Sequence, residues 1–161
     1  MLADQGSGHR IGVSALRAAF LAQDEDRTTL LMDAIMLAWE LQTVEQLIEF
    51  ANRTPEPDFS GLTTLVIRCA EQGDEVAGAV LRHEGEELGY LALLVLRRLR
   101  EGSRDPKWIP RLAFAGSIME KVIPVRQALI ATVRGEFSEV QVLNGVVDPL
   151  AGALLRARSG R

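Results

Sequence analysis

The chain has 161 residues, 47% of them hydrophobic and 25% charged, with a formal net charge of −4. That is enough chain for one substantial core and an ordinary globular composition, but the charge has the wrong sign for a nucleic-acid surface, which needs a basic excess to displace counterions. The densest apolar stretch, "LGYLALLVL" (88–96), falls short of the roughly 18 residues of a membrane span, no leader pattern opens the chain, and the single cysteine, Cys69, allows no internal disulfide. A cytoplasmic protein with no membrane or nucleic-acid partner is expected.

In chain order, "DQGSG" (4–8) is a glycine-rich start that suits either a loop around an oxygen-rich ligand or a flexible end. "SALRAAFLAQ" (14–23) has helical spacing, with Ser14 as N-cap. "TTLLMDAIMLAWEL" (28–41) makes a second helix. In "TVEQLIEFANR" (43–53), Thr43 and Gln46 have capping-box spacing. The prolines of "TPEPD" close that third helix, a fourth runs from Phe59 to Gln72, and Gly73 stops it. Asp74 caps a fifth, long helix reaching Arg100, with apolar positions at 76, 80, 81, 88, 91, 92, 95 and 99. Within it Gly78, Gly85 and Gly89 each cost about 1 kcal/mol relative to Ala, which suggests that another backbone packs against them.

The pattern then changes. "RLAFAG" (111–116) reads as a short strand ending in glycine. "SIMEKVIPVRQALIATVR" (117–134) is helical with a kink or fresh start at Pro124, "SEVQVL" (138–143) alternates as a strand, and "DPLAGALLRAR" (148–158) pairs an Asp cap with Pro at the first helical position. The basic stretches 97–104 and 156–161 read as solvated helix ends. The order is five helices, then strand, helix, strand, helix: a helix-rich α/β chain. Two strands alone are marginal in water, so the sheet reads as incomplete.

Common catalytic signatures are absent. His9 and His83 have no ligand-spaced partners, and neither a nucleophile elbow nor a phosphate-binding P-loop occurs. His83 reads as structural or solvated, and Glu84, Glu86 and Glu87 as a wet helix face. The junction "LAFAGSIMEK" frees backbone N–H groups and removes a Cβ, which suits a nucleotide lying against the main chain, or merely a reversal of direction.

Four blocks taken together are more specific: "DQGSGHRIGVSALRA", "FSGLTTLVIRCAEQGDEVAGAVLRHEGEELG", "LAFAGSIMEKVIPVRQAL" and "DPLAGALLRAR". In this order they resemble the C-terminal half of the N-acetylglucosamine kinases and the related BadF/BadG/BcrA/BcrD-type ATPases of the actin/hexokinase/heat-shock ATPase superfamily. The resemblance covers essentially the whole chain. It implies the C-terminal lobe of a ribonuclease-H-like fold, with 1–58 as a helical part and 59–161 as the nucleotide side. It also implies that Asp4 holds sugar hydroxyls, since a carboxylate accepts two strong hydrogen bonds from a polyol. By the same resemblance Ser60, followed by Gly61, lies by the nucleotide. Gly116 and Ser117 contact adenosine, with Lys121 one turn on.

Two departures stand out. The family commonly reads D-E-G-S followed by an aromatic pair, whereas this chain has Gln5 for the acid and His9-Arg10 for the aromatics, and "AGS" replaces "AGG". The family's N-terminal lobe, with its D-x-G-G-T phosphate loop, magnesium-binding groups and catalytic base, has no counterpart here. The expectation is therefore a partial ATP- and Mg2+-dependent amino-sugar kinase, inactive alone, with no catalytic or metal-binding residue of its own. The alternative is a non-catalytic helical module that pairs with itself or with a missing lobe.

Overall fold

The computed structural model describes residues 4–105 and 107–159. Helix α1 spans Gly8–Asp24, and Ser7 caps it by accepting from Arg10 N at 3.0 Å. It starts well before Ser14, the expected cap, because two glycines in its first turns admit a neighbouring segment. A Cβ on Gly12 would lie 2.0 Å from the Phe59 carbonyl, and one on Gly8 3.1 Å from Thr63 Oγ1. Ser14 sits inside the helix and turns its hydroxyl inward.

Helix α2 (Leu31–Ala38) is shorter than the expected 28–41. Thr29 Oγ1 and Leu30 N both donate to Asp74, which fixes that segment as a connection before the helix starts. Helix α3 (Val44–Ala51) is capped by Thr43, which accepts from Gln46 N, while Gln46 Oε1 accepts from Gln42 N, one residue short of a reciprocal box. The expected fourth helix divides into a 3-10 turn, Ser60–Leu62, and α4 (Thr63–Glu71). Gly73, at φ +88°, ends it in a left-handed conformation that glycine adopts without strain.

Asp74 then caps α5 (Glu75–Gly102) through Val76 N and Ala77 N. Strand β1 (Arg111–Phe114) leads to α6 (Ser117–Lys121) and α7 (Ile123–Glu136). The kink or fresh start expected near Pro124 is a fresh start: the helical run breaks at Val122, and Pro124 stands in the first turn of α7, where its missing N–H costs nothing. Strand β2 is Gln141–Val146 rather than 138–143, because a turn from Phe137 to Val140 intervenes. Asp148 caps α8 (Pro149–Arg158) by accepting from Leu150 N at 2.8 Å.

Helix α5 is the axis of the core and packs against α1, α4 and most extensively α7. Two of the expected glycines explain that contact: Cβ atoms on Gly85 and Gly89 would lie 2.3 Å from the Val125 carbonyl and 2.6 Å from Thr132 Cβ. Gly78 does not take part, since only the Arg82 side chain of its own helix is near. The buried face runs through Leu81, Glu84, Gly85, Gly89, Leu93 and Leu96, whereas Val95 and Leu99, expected inside, are 58% and 54% exposed. Arg97 is not merely solvated: it forms a two-pronged pair with Glu136 of α7.

The strands form a two-stranded parallel sheet with Leu112 opposite Val142 and Phe114 opposite Val146, and an irregularity between. The fold is thus helix-rich α/β with a small parallel sheet. Helix α8 buries none of its side chains: Leu150, Leu154 and Leu155 are 73%, 61% and 67% exposed. No described helix is long and apolar enough to cross a membrane.

Candidate functional site

The first glycine-rich block is tied down. Gly6, at φ +71°, leaves no room for a side chain: a Cβ there would lie 2.0 Å from Leu88 Cδ1 on α5. Its N–H donates to Glu84 Oε2 at 3.1 Å, and Ser7 N donates to the Asp4 carbonyl at 3.1 Å. Asp4 is half-buried at the head of this anchored turn.

The second block meets the first. Gly8 lies against Ser60 and Thr63, and Thr63 Oγ1 donates to the Gly8 carbonyl at 3.1 Å. The Asp4 loop and the Ser60 turn therefore share one corner, formed by the first turn of α1 and the 3-10 turn before α4. His9 faces the same corner, edge-on to Phe59 with ring centroids 5.5 Å apart, and its Nε2 is 3.8 Å from Glu56.

Asp58, overlooked in the sequence, organises the Ser60 turn. Its Oδ1 accepts from Ser60 N at 3.0 Å, Gly61 N at 3.3 Å and the Ser60 hydroxyl. The Ser60 hydroxyl, foremost, holds the Asp58 carboxyl below the ordinary aspartate range. The string "DFSG" carried this signal, because an aspartate two residues before a serine at a turn is a common side-chain cap. With its hydrogen given to Asp58, the Ser60 oxygen offers lone pairs outward and acts as an acceptor. Beside a carboxylate, such an oxygen suits a ribose hydroxyl or an amino group better than a phosphate.

The third block lies at the end of the sheet. Gly116, at φ +88°, is exposed, with open space where its Cβ would stand, and exposed Ser117 opens α6. Lys121 closes the same short helix, one turn on and exposed. Because the strands are parallel, the Gly116 turn and the exit of β2 toward Asp148 share the carboxyl edge of the sheet, where Val147 N donates to the Phe114 carbonyl at 2.7 Å. In open parallel sheets that edge is the usual place for a ligand.

Helix α6 packs against α7 and β2. The structure thus brings the Gly8 end of the Asp4 loop to Ser60 and Thr63, while Gly116, Ser117 and Lys121 stand at the carboxyl edge of the sheet. Helix α5 links the two, since Glu84 holds the Gly6 loop while the adjacent Gly85 receives the Val125 backbone of α7. The open main chain at Gly116 fits the approach of a nucleoside. Among the described residues no group of three or more His, Cys, Asp or Glu is placed to hold a metal ion.

Glu84 is the largest correction to the sequence reading. It is not on a wet face but fully buried, at 0% exposure, whereas Glu86 and His83 are exposed. Period alone could have suggested it, since Glu84 lies three residues beyond Leu81 and four before Leu88.

No protein-family profile matches the chain. The chain is 27% identical over its full length to an N-acetyl-D-glucosamine kinase of Dictyostelium discoideum, covering 51% of that protein. It is 25% identical over 99% of its length to an N-acetylmuramic acid/N-acetylglucosamine kinase of Clostridium acetobutylicum, covering 52% of it. The chain spans about half the length of the curated relatives it matches.

Proposed function

We propose that this chain is the C-terminal, nucleoside- and sugar-contacting lobe of an ATP-dependent amino-sugar kinase acting in the cytoplasm, with N-acetylglucosamine or a close relative as substrate. The observation that carries the reading is the end-to-end alignment with two kinases named for that sugar. The fold supports it by seating the Asp4 loop on the Ser60 turn. The lobe belongs, in this reading, to the actin/hexokinase ATPase fold.

Asp4 accepts hydrogen bonds from sugar hydroxyls. Ser60 and Gly61 border the nucleoside with the Ser60 oxygen as acceptor, and Gly116, Ser117 and Lys121 line its other side. The sugar hydroxyl forms a new bond to the γ-phosphorus as the bond to the β-phosphate oxygen breaks, and the rate gain comes chiefly from positioning and charge stabilisation. The base that takes the hydroxyl proton and the groups that hold Mg2+ are assigned to the half of the kinase outside these residues. On its own the chain transfers phosphate negligibly.

Calorimetry with a non-hydrolysable ATP analogue and with N-acetylglucosamine tests the assignment. Gly116→Val is expected to abolish analogue binding and Asp4→Asn to weaken sugar binding about tenfold or more, as expected for a charged acceptor lost. Unchanged analogue binding in Gly116→Val removes the adenosine site, and unchanged sugar binding in Asp4→Asn removes the sugar contact.

A second reading, a helical module that pairs with itself or with a partner, is favoured by one observation: the apolar face of α8 covers nothing. Light scattering on the purified chain checks it, and a clean monomer at high concentration counts against self-pairing.

A further inference from the structure

We propose that Glu84 is the positioning residue of the Asp4 loop, holding it through Gly6, Ser14 and Arg10 of the N-terminal segment. The inference rests on the sugar-binding reading of Asp4 for its functional half, and on geometry for the rest.

Both oxygens of the buried Glu84 carboxylate are used on the N-terminal segment. Oε2 accepts from Gly6 N at 3.1 Å, Oε1 accepts from the Ser14 hydroxyl at 2.6 Å, and Arg10 Nε lies 3.5 Å from Oε1. A buried charge is tolerated only when paired and hydrogen-bonded, and here every partner comes from residues 6–14. Gly6 also rests on Leu88, one turn beyond Glu84 on the same face of α5. The loop is thus held at two successive turns of the central helix, by a carboxylate and by a leucine. Asp4 precedes Gly6 by two residues, and its carbonyl is closed onto Ser7 N, so displacement of Gly6 moves Asp4.

Arg10, where the pattern has an aromatic, brings its guanidinium Nε to 3.5 Å from Glu84 Oε1, as an ion pair without a hydrogen bond. Among the described residues Gln5 Oε1 is buried without a hydrogen-bond partner, a position where a carboxylate oxygen costs far more than an amide oxygen.

The test uses the full chain, read by amide exchange in NMR and by N-acetylglucosamine titration of the same spectra. Glu84→Ala is expected to speed exchange of the Gly6 amide about tenfold or more, the size of a hydrogen bond to a charged group, while the Leu129 and Val133 amides of α7 stay as in wild type. Sugar affinity is expected to fall by a similar factor. Glu84→Gln, which keeps an acceptor and the shape, should restore most of the Gly6 protection, and it decides the matter if the alanine variant does not fold. Gln5→Glu should release the same amide in the presence of Glu84.

Gly6 exchange that is unchanged in Glu84→Ala, or in Glu84→Gln compared with a Glu84→Leu control, overturns the anchor. A freed loop with unchanged sugar affinity overturns the positioning role alone. Wild-type chain that gives no sugar shifts at all removes the sugar reading beneath it.

Discussion

Asp74 shows how one side chain can serve several elements. Its Oδ1 caps α5 and its Oδ2 holds Thr29 and Leu30 ahead of α2. Burial alone pushes its carboxyl upward, but bonds from Ala77 N, Leu30 N, the Thr29 hydroxyl and Val76 N together outweigh that and hold it below the ordinary range. The unfolded chain therefore takes up the proton first as pH falls. The stabilisation is complete above about pH 4, the ordinary aspartate value, and is lost as the pH drops through the lower native value. Urea midpoints from pH 5 down to 2.5 should fall more steeply for wild type than for Asp74→Asn. Asp74→Ala should cost at least about 1–2 kcal/mol at pH 7, the value of a strong N-cap. The cap was legible because an aspartate follows Gly73 at the head of an apolar period. Its second role was not, because Thr29 is 45 residues away.

At the scale of elements, the α5–α7 seam depends on two glycines and not on the third. Gly85→Ala drives a Cβ onto the Val125 carbonyl and is expected to destabilise by about 1–3 kcal/mol, the usual cost of overpacking. Gly78→Ala meets only the flexible end of Arg82 and should stabilise by up to about 1 kcal/mol through helix propensity. Opposite shifts in the denaturation midpoint distinguish seam from spacer. The sequence showed three glycines in one helix but not which of them faced a neighbour. Helix α8 behaves in the opposite way. Its Asp-Pro start fixed its beginning, yet it buries nothing, so replacing Leu150 and Leu154 by Ser should move the midpoint by less than about 0.5 kcal/mol. A larger loss, measured at low protein concentration, would mean that this face is already packed in solution.

For the whole molecule, the element order and the helix-rich α/β class follow from the sequence, because apolar period, caps and prolines are local signals that short-range sterics enforce. A distant group moved two boundaries, Asp74 at the start of α2 and Phe59 against α1, whereas β2 was shifted by a local turn, Phe137 to Val140. The resemblance also gathered Asp4, Ser60 and Gly116 into one functional list. Folding seats the Gly8 end of the Asp4 loop on the Ser60 turn and puts Gly116 at the carboxyl edge of the sheet. What the sequence determined by itself was the set of helices and strands and the glycines at their turns, since backbone conformation answers to near neighbours. Only the tertiary structure decided that Glu84 is buried and that Gly6 hangs from it. A carboxylate's surroundings are set by which helices pack over it, and one-dimensional spacing leaves that open.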